Sequence, residues 1–160
     1  MNPILLSGIQ PSGKLHIGNY LGALKNFVSL QNSGKYKCFF FVPDYHALTE
    51  PKSKSEQIKR IFYLMLDYLA AGLDPKKSTL FIQSHIPEHT ELAWILSTII
   101  SVGELERMTQ FKDKTARGLS PNAGLFNYPT LMAADILIYK ASIVPVGGDQ
   151  AQHLEIARTF

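Results

Sequence analysis

Residues 4–19 read ILLSGIQPSGKLHIGN, and the order of features in this stretch sets the fold. An apolar run from Ile4 to Leu6 gives way to Gly8, Pro11 and Gly13, after which Asn19 to Leu30 carries apolar residues at helical spacing. The pattern predicts a strand, a glycine-bearing loop and a helix. Gly8, Gly13 and Gly18 let the backbone approach an anion, and the unpaired amides and positive dipole end of a helix start favour negative charge. His16 and Asn19 would add side-chain donors there. Taken alone, the same residues also fit a structural turn with a surface histidine.

Working outward, Cys38 to Val42 is an aromatic and aliphatic run ended by Pro43, the pattern of a central parallel strand buried on both faces. From Ser53 to Ala71, Ile58, Ile61, Phe62, Met65, Leu66 and Leu69 follow a 3.6-residue period that stops at Gly72 and Pro75. Thr79 to Ile82 predicts a third strand and Glu88 to Val102 a third helix, with Gly103 separating it from Glu104 to Phe111. Lys112 to Gly124 has the polar, basic character of a loop. Thr130 to Tyr139 then predicts a helix, Ile143 to Val146 a fourth strand, and Asp149 onward a helix still running at Phe160, where no capping residue ends it. Such alternation predicts an α/β fold with a doubly wound parallel sheet and helices on both faces. Ligands of such folds bind where strands end, which directs attention to the loops after Leu6, Val42, Ile82 and Val146.

Composition narrows the function classes. At 160 residues, 46% hydrophobic and 18% charged, the chain has the makings of one domain with a real core and excludes a disordered segment. A net charge of +3 permits an anionic ligand without indicating nucleic acid by itself. The single cysteine, Cys38, excludes an intramolecular disulfide and a cysteine-based zinc site, which points to a reducing compartment. No apolar stretch approaches the roughly 18 residues of a membrane span, and the N-terminus lacks the basic start and cleavage site of a secretory signal. A cytoplasmic protein is expected.

One residue within the apolar LMAADILIY segment demands a reason. Tyr128, Met132, Asp135 and Tyr139 share a helical face, and an ionised Asp135 in such surroundings is costly unless paired. Pairing with Lys140 or another cation, exposure, or contact with a polar ligand atom would each account for it. Asp149, after Gly147-Gly148, fits either a helix N-cap or a strand-end ligand contact.

His16-Ile17-Gly18-Asn19 resembles the HIGH signature of class I aminoacyl-tRNA synthetases, in the variant ending in Asn that the tryptophanyl branch uses. Gly8 to Gly13, Asp44 to Ala47, Gly103 to Lys112, Met132 to Leu137 and Val144 to Gln150 are similar to further blocks of that branch, in its order. The resemblance covers essentially the whole chain and identifies residues 1–160 with the N-terminal part of a Rossmann-type catalytic domain. Neither the C-terminal helical domain nor the Lys-Met-Ser-Lys-Ser signature is in this sequence, so weak activity of the chain alone is expected.

The resemblance implies ATP-dependent activation of tryptophan and its transfer to tRNA, with Mg²⁺ carried on the ATP phosphates and a homodimer as the working assembly. It assigns catalysis to His16, Asn19, Gln10 and Lys112. Tryptophan would meet Gly8, Gln10, His46, Tyr128, Met132, Asp135, Ile136, Val144, Val146 and Gln150, with Asp135 accepting the indole N–H and Met132 covering the ring. ATP would meet Gln10, Ser12, Gly13, His16, Gly18, Asn19, Gly147 and Asp149. Related tyrosyl enzymes carry Gln where this chain has Met132, which favours tryptophan. A tyrosyl-type enzyme and a noncatalytic nucleotide- or amino-acid-binding fragment are the alternatives. Leu6, Pro43 and Gly148 depart from the family's usual residues at their positions.

Overall fold

Three parallel strands, β1 (Ile4–Gly8), β2 (Lys37–Val42) and β3 (Ser78–Ile82), pair in the order β1-β2-β3. The computed structural model describes residues 2–50, 52–108, 111–112, 122–147 and 150–160. On the free edge of β1, Leu5 forms a parallel bridge with Ile143, through Leu6 N–H to the Ile143 carbonyl at 3.0 Å and Ile143 N–H to the Ile4 carbonyl at 3.2 Å. The chain therefore walks outward from β1 to β3 and then returns to the opposite side of β1. A crevice opens at such a reversal.

The fourth strand expected over Ile143 to Val146 is reduced to this one bridge. The next ladder donor would be residue 145, a proline with no N–H, and its carbonyl is taken by Ser7 Oγ at 2.6 Å instead. Helices cover both sheet faces, and the alternation of strand side chains sorts them. Leu5, Cys38, Phe40 and Val42 pack with Leu24, Phe27, Leu64 and Tyr68. These come from the π-helical turn (Tyr20–Leu24) that continues the short α1 (Ile17–Asn19), from α2 (Lys25–Asn32) and from α4 (Lys54–Ala70). Leu6 and Phe41 face the other side, against Ala93 and Leu96 of α5 (Glu88–Ser97), Ala133 and Ile136 of α7 (Ala123–Ile138) and Ile156 of α8 (Ala151–Thr159).

Other boundaries move for local reasons. The helix expected over Glu88 to Val102 breaks earlier, and Gly103 lies inside α6 (Val102–Glu106) rather than before it. Ser101 caps α6 reciprocally with Glu104, a capping box that overrides the glycine. The helix expected from Thr130 starts at Ala123, capped by Asn122, and runs through Pro129. Gly72 ends α4 at φ +105°, a conformation that favours glycine. Most of the Lys112 to Gly124 loop lies outside the described residues. Among those described, no helix is long and apolar enough to cross a membrane.

Where β1 ends, two features hold its backbone. A Cβ at Gly8 would sit 2.4 Å from the Phe41 carbonyl oxygen, so only glycine fits. Just beyond, the fully buried Tyr68 hydroxyl accepts the Ile9 N–H at 2.7 Å and donates to the Phe41 carbonyl at 3.0 Å, bridging the ends of β1 and β2. Tyr68→Phe should lower stability by about 1–3 kcal/mol, since the half-buried Ile9 N–H loses its acceptor and the Phe41 carbonyl a buried donor. Urea denaturation checks this, and an unchanged midpoint would refute the bridge.

Candidate functional site

The ends of β1 and β2, α3 (Asp44–Ala47), α7 and the segment after Ile143 enclose a cavity of about 310 Å³. That is the small end of the roughly 300–1,000 Å³ common for small-molecule sites. Gly8, Gln10, His46, Tyr128, Met132, Asp135, Ile136, Val144, Val146 and Gln150, the residues expected around the amino acid, all line it. Leu6, Ser7, Phe41 and Pro43 join them. The common face expected on α7 holds for Tyr128, Met132 and Asp135, while Tyr139 lies outside the lining.

Asp135 is only 2% exposed and does not pair with the exposed Lys140. Its Oδ1 accepts from His89 Nδ1 at 2.6 Å and from Gln83 Nε2 at 2.7 Å, and its Oδ2 meets His46 Nε2 at 2.8 Å. Burial alone would push the carboxyl pKa up. The hydrogen bonds from His46 and His89, and the charge of those imidazoles, outweigh burial and hold it below the ordinary carboxylate range. A carboxylate has room for about four donors, two per oxygen. Oδ2 thus keeps one acceptor position for a donor in the cavity.

At the amino-acid end, Gln10 Nε2 donates to the His46 carbonyl at 3.2 Å. The Tyr128 hydroxyl bonds the buried His153 imidazole, whose Nδ1 lies 3.0 Å from Gln150 Oε1. Two cavity residues on different helical segments are thereby fixed through one histidine.

Of the described residues expected around ATP, Gln10 alone lines the cavity, while Ser12, Gly13, His16 and Gly18 are exposed and Asn19 is half-buried. His16 and Asn19 cap α1 reciprocally: His16 Nδ1 accepts the Gly18 N–H at 3.1 Å, and Asn19 Oδ1 accepts the His16 N–H at 3.0 Å. A Cβ at Gly18 would come within 2.9 Å of the His16 ring. With Nδ1 and Oδ1 used as acceptors in the cap, the remaining capacity of the two side chains is a ring Nε2 and an amide NH₂, on an exposed and a half-buried residue. Ser12 turns its carbonyl to Lys52 and Arg60, while the space around a Gly13 Cβ is open. Lys112 and Gly147 are exposed and line no part of the cavity. Asp149 and Gly148 lie outside the described residues.

Sequence reasoning missed Gln83, His89 and His153, all fully buried. His89 sits in EHTELAWILS without a motif around it, and nothing local marks it as a partner of Asp135. A buried Asp with no cation at helical spacing was a signal that some histidine or amide must approach from elsewhere.

A doubly wound sheet with a polar-anchored cavity at its switch point defines a nucleotide- and small-molecule-binding α/β domain. The family model of the class I tRNA synthetases (W and Y) matches residues 1–160, and the chain belongs to that family. It is 61% identical to the tryptophan–tRNA ligase of Fusobacterium nucleatum over 96% of its own length and 46% of that protein's. To that of Clostridium tetani it is 58% identical, over 96% of this chain and 45% of the relative. The chain spans about half the length of these curated relatives. The crystal structure of Campylobacter jejuni tryptophanyl-tRNA synthetase, complexed with ADP and tryptophan, superposes with a TM-score of 0.91 at 48% identity, over 97% of this chain and 48% of that one.

A carboxyl whose folded pKa lies below its unfolded value, about 3.9, stabilises the fold above that value, and the contribution is lost as pH falls through the folded pKa. The ¹³Cγ resonance of Asp135 should accordingly stay in its ionised form through the ordinary aspartate range. A midpoint at or above about 3.9 would contradict the three-donor site.

Proposed function

We propose that this chain forms the amino-acid-activating site of a tryptophan–tRNA ligase, and that the whole protein joins tryptophan to ATP and passes it to tRNA. The observation that carries this reading is the ionised Asp135 in an apolar cavity beside Met132. An indole has one polar atom, an N–H, which Oδ2 of Asp135 would accept while Met132, Ile136, Val144 and Val146, all in the cavity lining, would flank the ring. The relatives named for this activity, and the neighbour complexed with ADP and tryptophan, support the same substrates.

In this reading Gln10, Tyr128 and Gln150 orient the amino acid so that its carboxylate oxygen attacks the α-phosphorus of ATP, forming tryptophanyl-adenylate as pyrophosphate leaves. No enzyme nucleophile is needed, and the protein supplies position and charge stabilisation. The ring Nε2 of His16 and the amide NH₂ of Asn19 would meet the phosphates, with Ser12, Gly13 and Gly18 allowing close approach and Lys112 adding charge. Gly147 and Asp149 would hold the ribose. Mg²⁺ would be carried by the ATP phosphates. A homodimer in the cytoplasm, with residues 1–160 as the N-terminal part of the catalytic domain and a helical domain following it, completes the proposal.

Asp135→Ala in the full-length protein should raise the tryptophan KM and lower kcat/KM by on the order of 10²-fold, the value of a lost charge-assisted hydrogen bond, with the ATP KM little changed. His16→Ala should instead depress kcat with little effect on tryptophan binding, because its donor matters most as charge develops on the phosphate. Tryptophan-dependent pyrophosphate exchange measures both. Exchange driven equally well by tyrosine, or no exchange with any amino acid, would favour the tyrosyl-type or the noncatalytic alternative respectively.

A further inference from the structure

His89 makes no contact with the cavity that Asp135 lines, yet it is wholly buried and bonded at both ring nitrogens. Nδ1 lies 2.6 Å from Asp135 Oδ1, and Nε2 lies 2.9 Å from the Tyr139 hydroxyl. The ring stacks near Phe41 and tilts against Phe81 and Tyr139, which leaves it little freedom to turn. Burial, with the negative charges of Asp135 and Glu88, pushes the Tyr139 pKa up to about 12, so its hydroxyl stays protonated. With Asp135 a carboxylate, His89 donates its Nδ1–H to Oδ1, and its Nε2 is tied to the Tyr139 hydroxyl.

We infer that His89, held by Tyr139, is a positioning residue for substrate choice: by occupying Oδ1 from behind it turns the Asp135 carboxylate so that Oδ2 faces a ring N–H in the cavity. The inference rests on the tryptophan reading above and goes beyond it, since it assigns the discrimination between rings with and without an N–H to two residues that never touch the ligand. Gln83 alone does not fix the carboxylate. Without His89 the carboxylate keeps one donor on each oxygen, Gln83 on Oδ1 and His46 on Oδ2, and His89 adds the second donor on Oδ1 from the side away from the cavity. The short, buried Nδ1 contact is the anchor of that set.

The test is equilibrium binding by calorimetry to the full-length protein, with L-tryptophan and with its benzothienyl analogue, in which ring sulfur replaces the N–H. Wild type should prefer tryptophan. His89→Leu should erase roughly tenfold to hundredfold of that preference by weakening tryptophan binding, while affinity for the analogue stays within a few-fold. His89→Asn, whose amide N–H takes the place of Nδ1, should restore most of the preference, and His89→Gln, whose amide reaches the Nε2 position, should not. Tyr139→Phe removes only a hydroxyl and should lower the preference by a smaller factor in the same sense. It carries the test alone if His89→Leu does not fold. Equal losses for both ligands, or a preference that survives both His89→Leu and Tyr139→Phe, overturn the positioning role. A wild-type protein that does not distinguish the two ligands overturns the tryptophan reading itself.

Discussion

A carboxylate lies almost fully buried among Ala133, Ala134 and Ile136, and the arrangement of the surrounding loops follows from that constraint. An isolated charge there would cost several kcal/mol or more, so donors must come to it. They come from three places in the chain: His46 from α3 after β2, Gln83 from the turn after β3, and His89 from α5. Gln83 also accepts the Tyr45 N–H at 3.1 Å, and Asp44 accepts the Ser84 N–H at 2.9 Å, so the two strand-end loops are tied to one another as well as to α7. Such a network is weak evidence for stability, because well-packed apolar residues can often replace a buried ion pair at no loss. Its value lies in specifying one arrangement of four segments around the cavity.

The sheet supplies the complementary constraint. β1 is flanked by β2 on one edge, paired through Gly8, and on the other by the single Ile143 bridge at Leu5, so the second pairing stops three residues earlier. Gly8 permits the close approach to Phe41, Tyr68 bridges the backbone beyond it, and Pro145 ends the opposite ladder. The crevice opens where backbone hydrogen bonding ceases on both sides of one strand. Ser7, still within β1, reaches across to the Pro145 carbonyl and limits how far the two walls separate.

The alternation of strands and helices was legible because its signals are local: the apolar run of Cys38 to Val42, the helical period after Ser53, and Gly72 at the end of α4. The cavity lining was legible for a different reason, namely the resemblance of short blocks to a known family, since no spacing rule brings Gln10, His46 and Val146 together. The errors arose where a local rule met a stronger one. Gly103 looked like punctuation, but the reciprocal cap of Ser101 and Glu104 starts a helix across it. Ile143 to Val146 has the composition of a strand, but Pro145 has no donor with which to extend one. The buried partners of Asp135 were illegible in principle from one segment, because a histidine 46 residues away announces nothing about where its ring will point.

Two kinds of preorganisation divide the molecule. Around Asp135 the acceptor is buried and its acceptor positions are filled except for one, which suits recognition of a neutral ring by a single polar atom. Around His16 and Asn19 the opposite holds: the acceptor atoms are consumed by the helix cap, and donors remain at the surface. Donors already oriented need no reorganisation when negative charge arrives, which is the condition under which they stabilise a developing charge most. A carboxylate-lined pocket would repel a phosphate, and a donor-rich strip would offer an indole N–H nothing to bond. Among the described residues, Gln10 is the one expected contact common to both regions, and their separation keeps the cavity carboxylate apart from the donors of the helix cap.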